Sequence, residues 1–261
     1  MALPTVAVLP FVFPFAIALL FGNLDVWFPA VYGLLLLAAL RPARESVRAA
    51  GVALAAATVA KLHPASLGIW FLLRGSAERR VVLVAVVTAV VVVAVSLVVG
   101  GLDPWRDYLA VIAAGSRTDL LDGRNVGPAV QLALLTGANE ATVRVIQAAV
   151  TVAAIAVTAW AAVRRSDPLE SLALAVVASL VTLPVTWFHY PVVLIPFAIA
   201  ALVRSQAGTP RVQRRARLLI AAAVGVSILA IGFAPLVWLA VALVLVAVGL
   251  SRPMAATRLP R

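Results

Sequence analysis

The stretch RPARESVRAAGVALAAATVAKLHPASLGIWFLLRGSAERR, residues 41–80, decides how this chain is folded. It opens with Arg41, Arg44 and Arg48 and closes with Arg74, Arg79 and Arg80, and the segment between them is almost wholly apolar. Cytoplasmic loops of membrane proteins collect Lys and Arg, so both basic clusters are expected on one side of a bilayer. Residues 47–73 must then go in and come back rather than cross once. They read as a hairpin with Lys61-Leu62-His63-Pro64 at its tip. The arms, 47–60 and 65–73, are each too short to span a hydrocarbon core of about 30 Å. Half-helices of that kind are tolerated where the broken backbone lines a protein cavity or water.

The same pattern continues on both sides of this hairpin. Apolar runs at 3–21, 26–40, 81–99, 141–163, 169–183, 190–203, 217–232 and 235–250 are long enough to cross, or nearly cross, a bilayer. Between them stand Arg164 and Arg165; Arg204, Arg211, Arg214, Arg215 and Arg217; and Arg252, Arg258 and Arg261. With the two clusters of the hairpin, these make sixteen of the 21 Lys and Arg residues. The expected fold is all-α and polytopic, about eight transmembrane helices plus the re-entrant hairpin, in one integral membrane domain over 1–261. The first run, broken by Pro4, Pro10 and Pro14, is expected to bend. It has no basic leading region and does not read as a cleavable signal peptide.

Composition narrows the function. The chain is 64% hydrophobic, with a mean hydropathy of +1.10 and a formal net charge of +11. The arginines are loop anchors without interleaved aromatics, so anionic lipid, not nucleic acid, is their natural partner. There are no cysteines, and two histidines are too few for a histidine-based zinc site. No metal or cofactor is expected. A Walker loop, a Gly-x-Gly-x-x-Gly turn, an Asp-x-Asp pair and a Gly-x-Ser-x-Gly elbow are all absent, which argues against a soluble nucleotide donor. With nearly all of the length used in helices, any activity is expected within the membrane or at its surface.

Residues 100–140 form the longest polar stretch and the expected outer-face subdomain. Asp103-Pro104 reads as a helix start. Trp105, Leu109 and Ile112 repeat at helical spacing, which predicts an interfacial helix with Trp105 and Tyr108 at headgroup level. Pro128 opens a second short helix that ends near Gly137.

Four outer-face elements carry candidate chemistry. Lys61 and His63 sit in an otherwise apolar hairpin, where ionisable groups are costly and usually functional. Together they suit an anionic headgroup such as a lipid phosphate, unless Lys61 merely snorkels to the interface. His189, in Leu183-Pro184-Val185-Thr186-Trp187-Phe188-His189-Tyr190, fits substrate contact or proton transfer, or else an aromatic belt with a solvated histidine. The 115–128 loop offers Arg117, Asp119, Asp122, Arg124 and Asn125. A solvated loop is the default for that mixture, and Arg124 and Asn125 stand out because they precede the break at Gly127-Pro128. Asp25 is explained most cheaply as a cap for the helix over 26–40.

These residues, in this order, resemble glycosyltransferase family 87. Lys61-Leu62-His63-Pro64 looks like the Lys-x-x-Pro hairpin of polytopic GT-C glycosyltransferases. Asn125-Val126-Gly127 before a short helix, the segment Pro184 to Tyr190, and the turn Gly22-Asn23-Leu24-Asp25 resemble further elements of the family. The resemblance implies a GT-C-like fold in the cytoplasmic membrane. It also implies transfer of a sugar, mannose in that family, from a polyprenyl-phosphate donor to a lipid or glycan acceptor at the outer face. Lys61, His63, Arg124 and His189 would meet the donor phosphate, and Asn125 and Trp187 the sugar or acceptor. Family members carry their catalytic Asp in a first outer loop, which has no counterpart here. The chain is therefore expected to be a later portion of such an enzyme or a shortened member. Asp25 matches a later turn, does not inherit that role, and stands only as a candidate base. Two other readings stay open. A lipid or glycolipid transporter or flippase would spread polar residues through the bilayer depth. A non-catalytic truncated membrane component fits the absent base.

Overall fold

The computed structural model describes residues 13–118, 120–230 and 232–252. Every regular element among them is helical, and no strand is present among the described residues. The α-helices are α1 (Phe13–Leu20), α2 (Phe28–Leu40), α3 (Arg44–Ala60), α4 (Leu67–Arg74), α5 (Ser76–Gly100) and α6 (Asp103–Thr118). They continue as α7 (Pro128–Thr136), α8 (Glu140–Arg164), α9 (Pro168–Val181), α10 (Ile195–Ser205), α11 (Pro210–Leu229) and α12 (Leu236–Leu250). Short 3-10 turns at Leu24–Trp27, His63–Ser66 and Tyr190–Leu194 interrupt the series. Pro4, Pro10, Asp119, Arg258 and Arg261 lie outside the described residues.

Local chemistry sets the helix ends. Pro29, Pro128, Pro168 and Pro210 occupy first turns, where a missing amide costs no helix bond. Asn139, Asp167 and Thr209 cap α8, α9 and α11 through their side chains. Pro128 opens a nine-residue helix, and Gly137 closes it at φ +67, a left-handed geometry that suits glycine.

The hairpin forms, with one change of proportion. Its first arm, α3, has 17 residues and rises roughly 25 Å, longer than the half-helix expected, whereas the returning α4 has only 8 residues. α3 and α5 run parallel. In their first halves, a Cβ at Gly51 would stand 2.5 Å from Val84 Cβ, so the glycine permits the close approach. At the far end of α3, the Val59 carbonyl accepts from Tyr108 Oη at 2.9 Å, in the helix that follows α5 and is tied back to its end through Trp105 and Ser96. The arginines at the starts of α3 and α5 therefore share one end of the bundle, and Lys61 lies at the other.

Other contacts assemble the same basic end. Arg74 donates to the carbonyls of Ala162, Arg165 and Ser166. Arg204 pairs with Asp167 at 2.6 Å, and Glu170 takes both Arg165 and Arg252. The core between the ends holds Tyr32, Leu35, Trp70, Phe71, Leu172 and Phe197. Trp70 Nε1 donates to Ser171 Oγ at 2.7 Å, and Ser171 Oγ donates to the Ala161 carbonyl.

Among the described residues two helices, α5 and α8, are long and apolar enough to cross a membrane, at 25 residues each. Only 11% of the most apolar stretch of α5 is buried, and 28% of that of α8. A valine face of that length left outside the core suits hydrocarbon and not water. α6 is fastened to the bundle by its two aromatic residues. Trp105 Nε1 bonds Ser96 Oγ at 2.8 Å and Tyr108 bonds Val59, so both polar tips tie the helix to the bundle.

Candidate functional site

Gly22, at φ +58, and Asn23 turn the chain between α1 and α2. Asn23 Oδ1 accepts the amide of Asp25 at 3.1 Å, which caps the 3-10 turn Leu24–Trp27. The cap at this turn is thus Asn23. No side chain caps α2, which starts from Trp27, and the capping role expected of Asp25 is not what the carboxylate does. It points inward, 1% exposed, and its Oδ2 is shared by two long-range partners. Lys61 Nζ lies 2.7 Å away and His189 Nε2 lies 2.9 Å away.

The electrostatics of this cluster are coupled. Burial opposes ionisation of Asp25, but the hydrogen bond from His189 and the Lys61 charge outweigh it and hold the carboxyl below its ordinary value. Burial lowers the Lys61 ammonium, and the Asp25 charge offsets part of that. His189 Nε2 also lies 3.0 Å from Asn23 Nδ2. One ring nitrogen cannot both donate to a carboxylate and accept from an amide. The ionised Asp25 is the stronger partner, so Nε2–H donates there.

Aromatic rings close the sides. The Lys61 ammonium stands 4.1 Å from the Tyr190 ring centroid and 5.9 Å from that of Phe28. His63 stacks on Tyr190, with centroids 6.1 Å apart and planes within 7°, and its Nε2 lies 3.4 Å from Tyr32 Oη. Expected as a second cation for the phosphate, His63 is instead buried and uncharged at neutral pH. Burial first, and the Lys61 charge second, push it down to about 4. Lys61 keeps 21% of its side chain exposed and His189 keeps 10%, so these two are the cluster's open face.

Asn125 also differs from its expected place beside the sugar. It is fully buried, and its amide is saturated by backbone. Nδ2 donates to the carbonyls of Leu120 and Pro184, and Oδ1 accepts from the amides of Gly127 and Thr186. It fastens the loop after α6 to the segment that carries Trp187 and His189. Val126 completes the joint, donating to the Thr186 carbonyl at 2.8 Å and accepting from Trp238 Nε1 at 2.6 Å.

Arg124 projects beyond that joint. It grips Asp122 through Nε and Nη2 at 2.9 and 2.6 Å, and its guanidinium lies 5.7 Å from the Trp187 ring centroid. Arg124 holds the Asp122 carboxyl down to about 2. The expected residues therefore fall into two groups joined by the chain from Trp187 to Tyr190: Lys61, His63 and His189 in one, Arg124 and Trp187 in the other.

Beside His189 lies an apolar cavity of about 380 Å³, lined by Phe188, Pro191, Leu194, Ala198, Ile220 and Val241 among others. No group of three or more His, Cys, Asp or Glu suited to a metal occurs among the described residues. The sequence reading missed Tyr190 as the ring that joins these groups and Asp25 as their centre. A lysine in an apolar hairpin needs an anion, and that requirement was the available signal.

The family model of glycosyltransferase family 87 matches residues 1–186, which takes in the Asp25 turn, the hairpin and the Asn125 joint. No curated protein and no solved structure matches the chain.

Proposed function

The chain belongs to glycosyltransferase family 87, and from that membership we propose that it moves a sugar from a polyprenyl-phosphate donor to a lipid or glycan acceptor. The sugar is mannose and the reaction lies at the outer face of the cytoplasmic membrane, which the chain crosses about eight times. The observation that carries this reading is the cluster of Asp25, Lys61 and His189 at the bundle end opposite the arginines. Among the described residues the buried acidic and basic side chains are Asp25, His63 and His189, all at that end, which favours surface chemistry over a path through the bilayer.

In this reading the donor phosphate meets the exposed faces of Lys61 and His189. The acceptor hydroxyl attacks the sugar's anomeric carbon, and the bond from that carbon to the phosphate oxygen breaks. The leaving lipid phosphate gains negative charge, which the fixed Lys61 ammonium stabilises, while the His189 N–H stays on Asp25. The hydroxyl proton goes to Asp25. Its Oδ2 is occupied by Lys61 and His189, while Oδ1 is buried with no hydrogen-bond partner among the described residues. The lipid chain of the donor takes the apolar cavity beside Phe188 and Pro191. Arg124 and Trp187 border the acceptor side.

The test is the full chain in lipid vesicles with labelled polyprenyl-phosphate mannose and a glycolipid acceptor. Transfer that disappears in Asp25→Asn while donor binding persists supports the assignment of the base. Transfer from a nucleotide sugar in place of the lipid donor overturns the reading.

A further inference from the structure

We propose that Tyr190 is a positioning residue whose ring face fixes the Lys61 ammonium and leaves its remaining N–H groups free for a phosphate. The inference that those groups meet a phosphate rests on the function proposed above; the contact between the ring and the ammonium does not.

Lys61 follows the last residue of α3 in an extended conformation, and its four-carbon stem has little intrinsic direction. Two things aim it. Asp25 Oδ2 takes one N–H at 2.7 Å. On another side stands the Tyr190 ring, 4.1 Å from Nζ, with Phe28 more distant at 5.9 Å. A ring face attracts a cation through its quadrupole and consumes none of its three hydrogen-bond donors. A second carboxylate at the same place would hold Lys61 equally well but would compete with the phosphate for those donors.

The ring is itself held. The Tyr190 amide donates to the Trp187 carbonyl at 3.0 Å, and the 3-10 turn Tyr190–Leu194 starts at this residue. It also packs against the core and meets the site's histidines: His63 stacked at 6.1 Å, and His189 edge-on at 4.9 Å and 81°. One ring therefore touches Lys61, His63 and His189, which come from two distant parts of the chain. The titratable groups that face Lys61 are Asp25, His63, His189 and Tyr190 itself.

Lys61 is the only lysine in the chain, so 15N-lysine labelling yields a single side-chain ammonium signal. In nanodiscs, Tyr190→Leu is expected to lower the Lys61 titration midpoint by about half to one pH unit. It is also expected to abolish the ring-current shift of the Lys61 ε-methylene. Tyr190→Phe keeps both. Pentafluorophenylalanine at 190 preserves the ring's shape and reverses its face potential, so it lowers the midpoint without a packing defect. Decyl phosphate, a soluble single-chain probe, is expected to bind Tyr190→Leu about three- to thirtyfold more weakly than the unaltered chain. A midpoint unmoved by either Tyr190→Leu or the fluorinated ring overturns the proposal. So does a Tyr190→Phe loss equal to that of Tyr190→Leu, which would assign the effect to the hydroxyl. Failure of the unaltered chain to bind decyl phosphate counts against the proposed function, and the ammonium titration still decides the role of Tyr190.

Discussion

His189 Nε2 lies 2.9 Å from Asp25 Oδ2, the same carboxylate oxygen that accepts Lys61 Nζ at 2.7 Å. Two donors from separate parts of the chain converge on one buried acceptor. Removing either donor leaves a carboxylate short of compensation, and removing the acceptor leaves two donors without an aim. This asymmetry makes the cluster testable by combinations of substitutions.

Lys61→Ala is expected to destabilise the protein by about 3 kcal/mol, because a buried charge loses its closest partner. Adding Asp25→Asn recovers most of that stability, since the uncompensated charge is gone, but does not recover donor binding. Donor affinity falls about ten- to a hundredfold in Lys61→Ala, and Lys61→Arg retains part of it. Thermal unfolding and donor titration of both singles and the double substitution measure the cycle. Additive stabilities for the two substitutions would contradict the pair's coupling.

Asn125→Ala removes four hydrogen bonds from a buried joint. A loss of roughly 1–3 kcal/mol is expected for the backbone groups left unpaired. Because the joint seats the segment bearing Trp187 and His189, kcat and KM for transfer change together. A pure KM effect at full thermal stability would instead place Asn125 against the substrate.

His63 predicts a stability that declines in mild acid. Its pKa in the fold is about 4, against about 6.5 when unfolded. As the pH falls below 6.5 the unfolded chain takes up a proton that the folded chain refuses, so stability drops until about pH 4 and then levels. The depressed Asp25 contributes its own loss at lower pH, where its carboxyl becomes protonated. The Tm of the detergent-solubilised chain should fall between pH 6.5 and 4. His63→Phe should flatten that slope, and an unchanged slope would show that His63 is charged in the fold.

The parallel arrangement of α3 and α5 predicts opposite accessibility for two exposed positions. In a chain that lacks native cysteines, Leu62→Cys should react with an impermeant reagent from outside the cell, and Ser76→Cys only after permeabilisation. Outside labelling of Ser76→Cys would break the hairpin and the sidedness built on it.

Periodicity and charge determined the scaffold. Apolar runs bounded by arginines marked α2 to α5 and α8 to α12, because helix length and loop charge are local properties that lipid and water read directly. The return of residues 44–74 to the basic end was legible for the same reason, since two basic clusters cannot lie on opposite sides without breaking the charge rule. Pro128 and Gly137 marked α7 through the geometry of their own backbones.

The roles of the polar side chains were not legible in this way. Asp25 reads locally as a cap, and only the folded chain shows Asn23 in that role and Asp25 turned toward Lys61 and His189. Asn125 reads as an exposed loop amide and is a buried strut. His63 carries a titratable ring, yet its neighbours keep that ring neutral. Sequence spacing states which residues share a helix face. It does not state which distant turn arrives at the same end of the bundle, and the charge of a buried group depends on that arrival, because in low dielectric its nearest partners decide which protonation state survives.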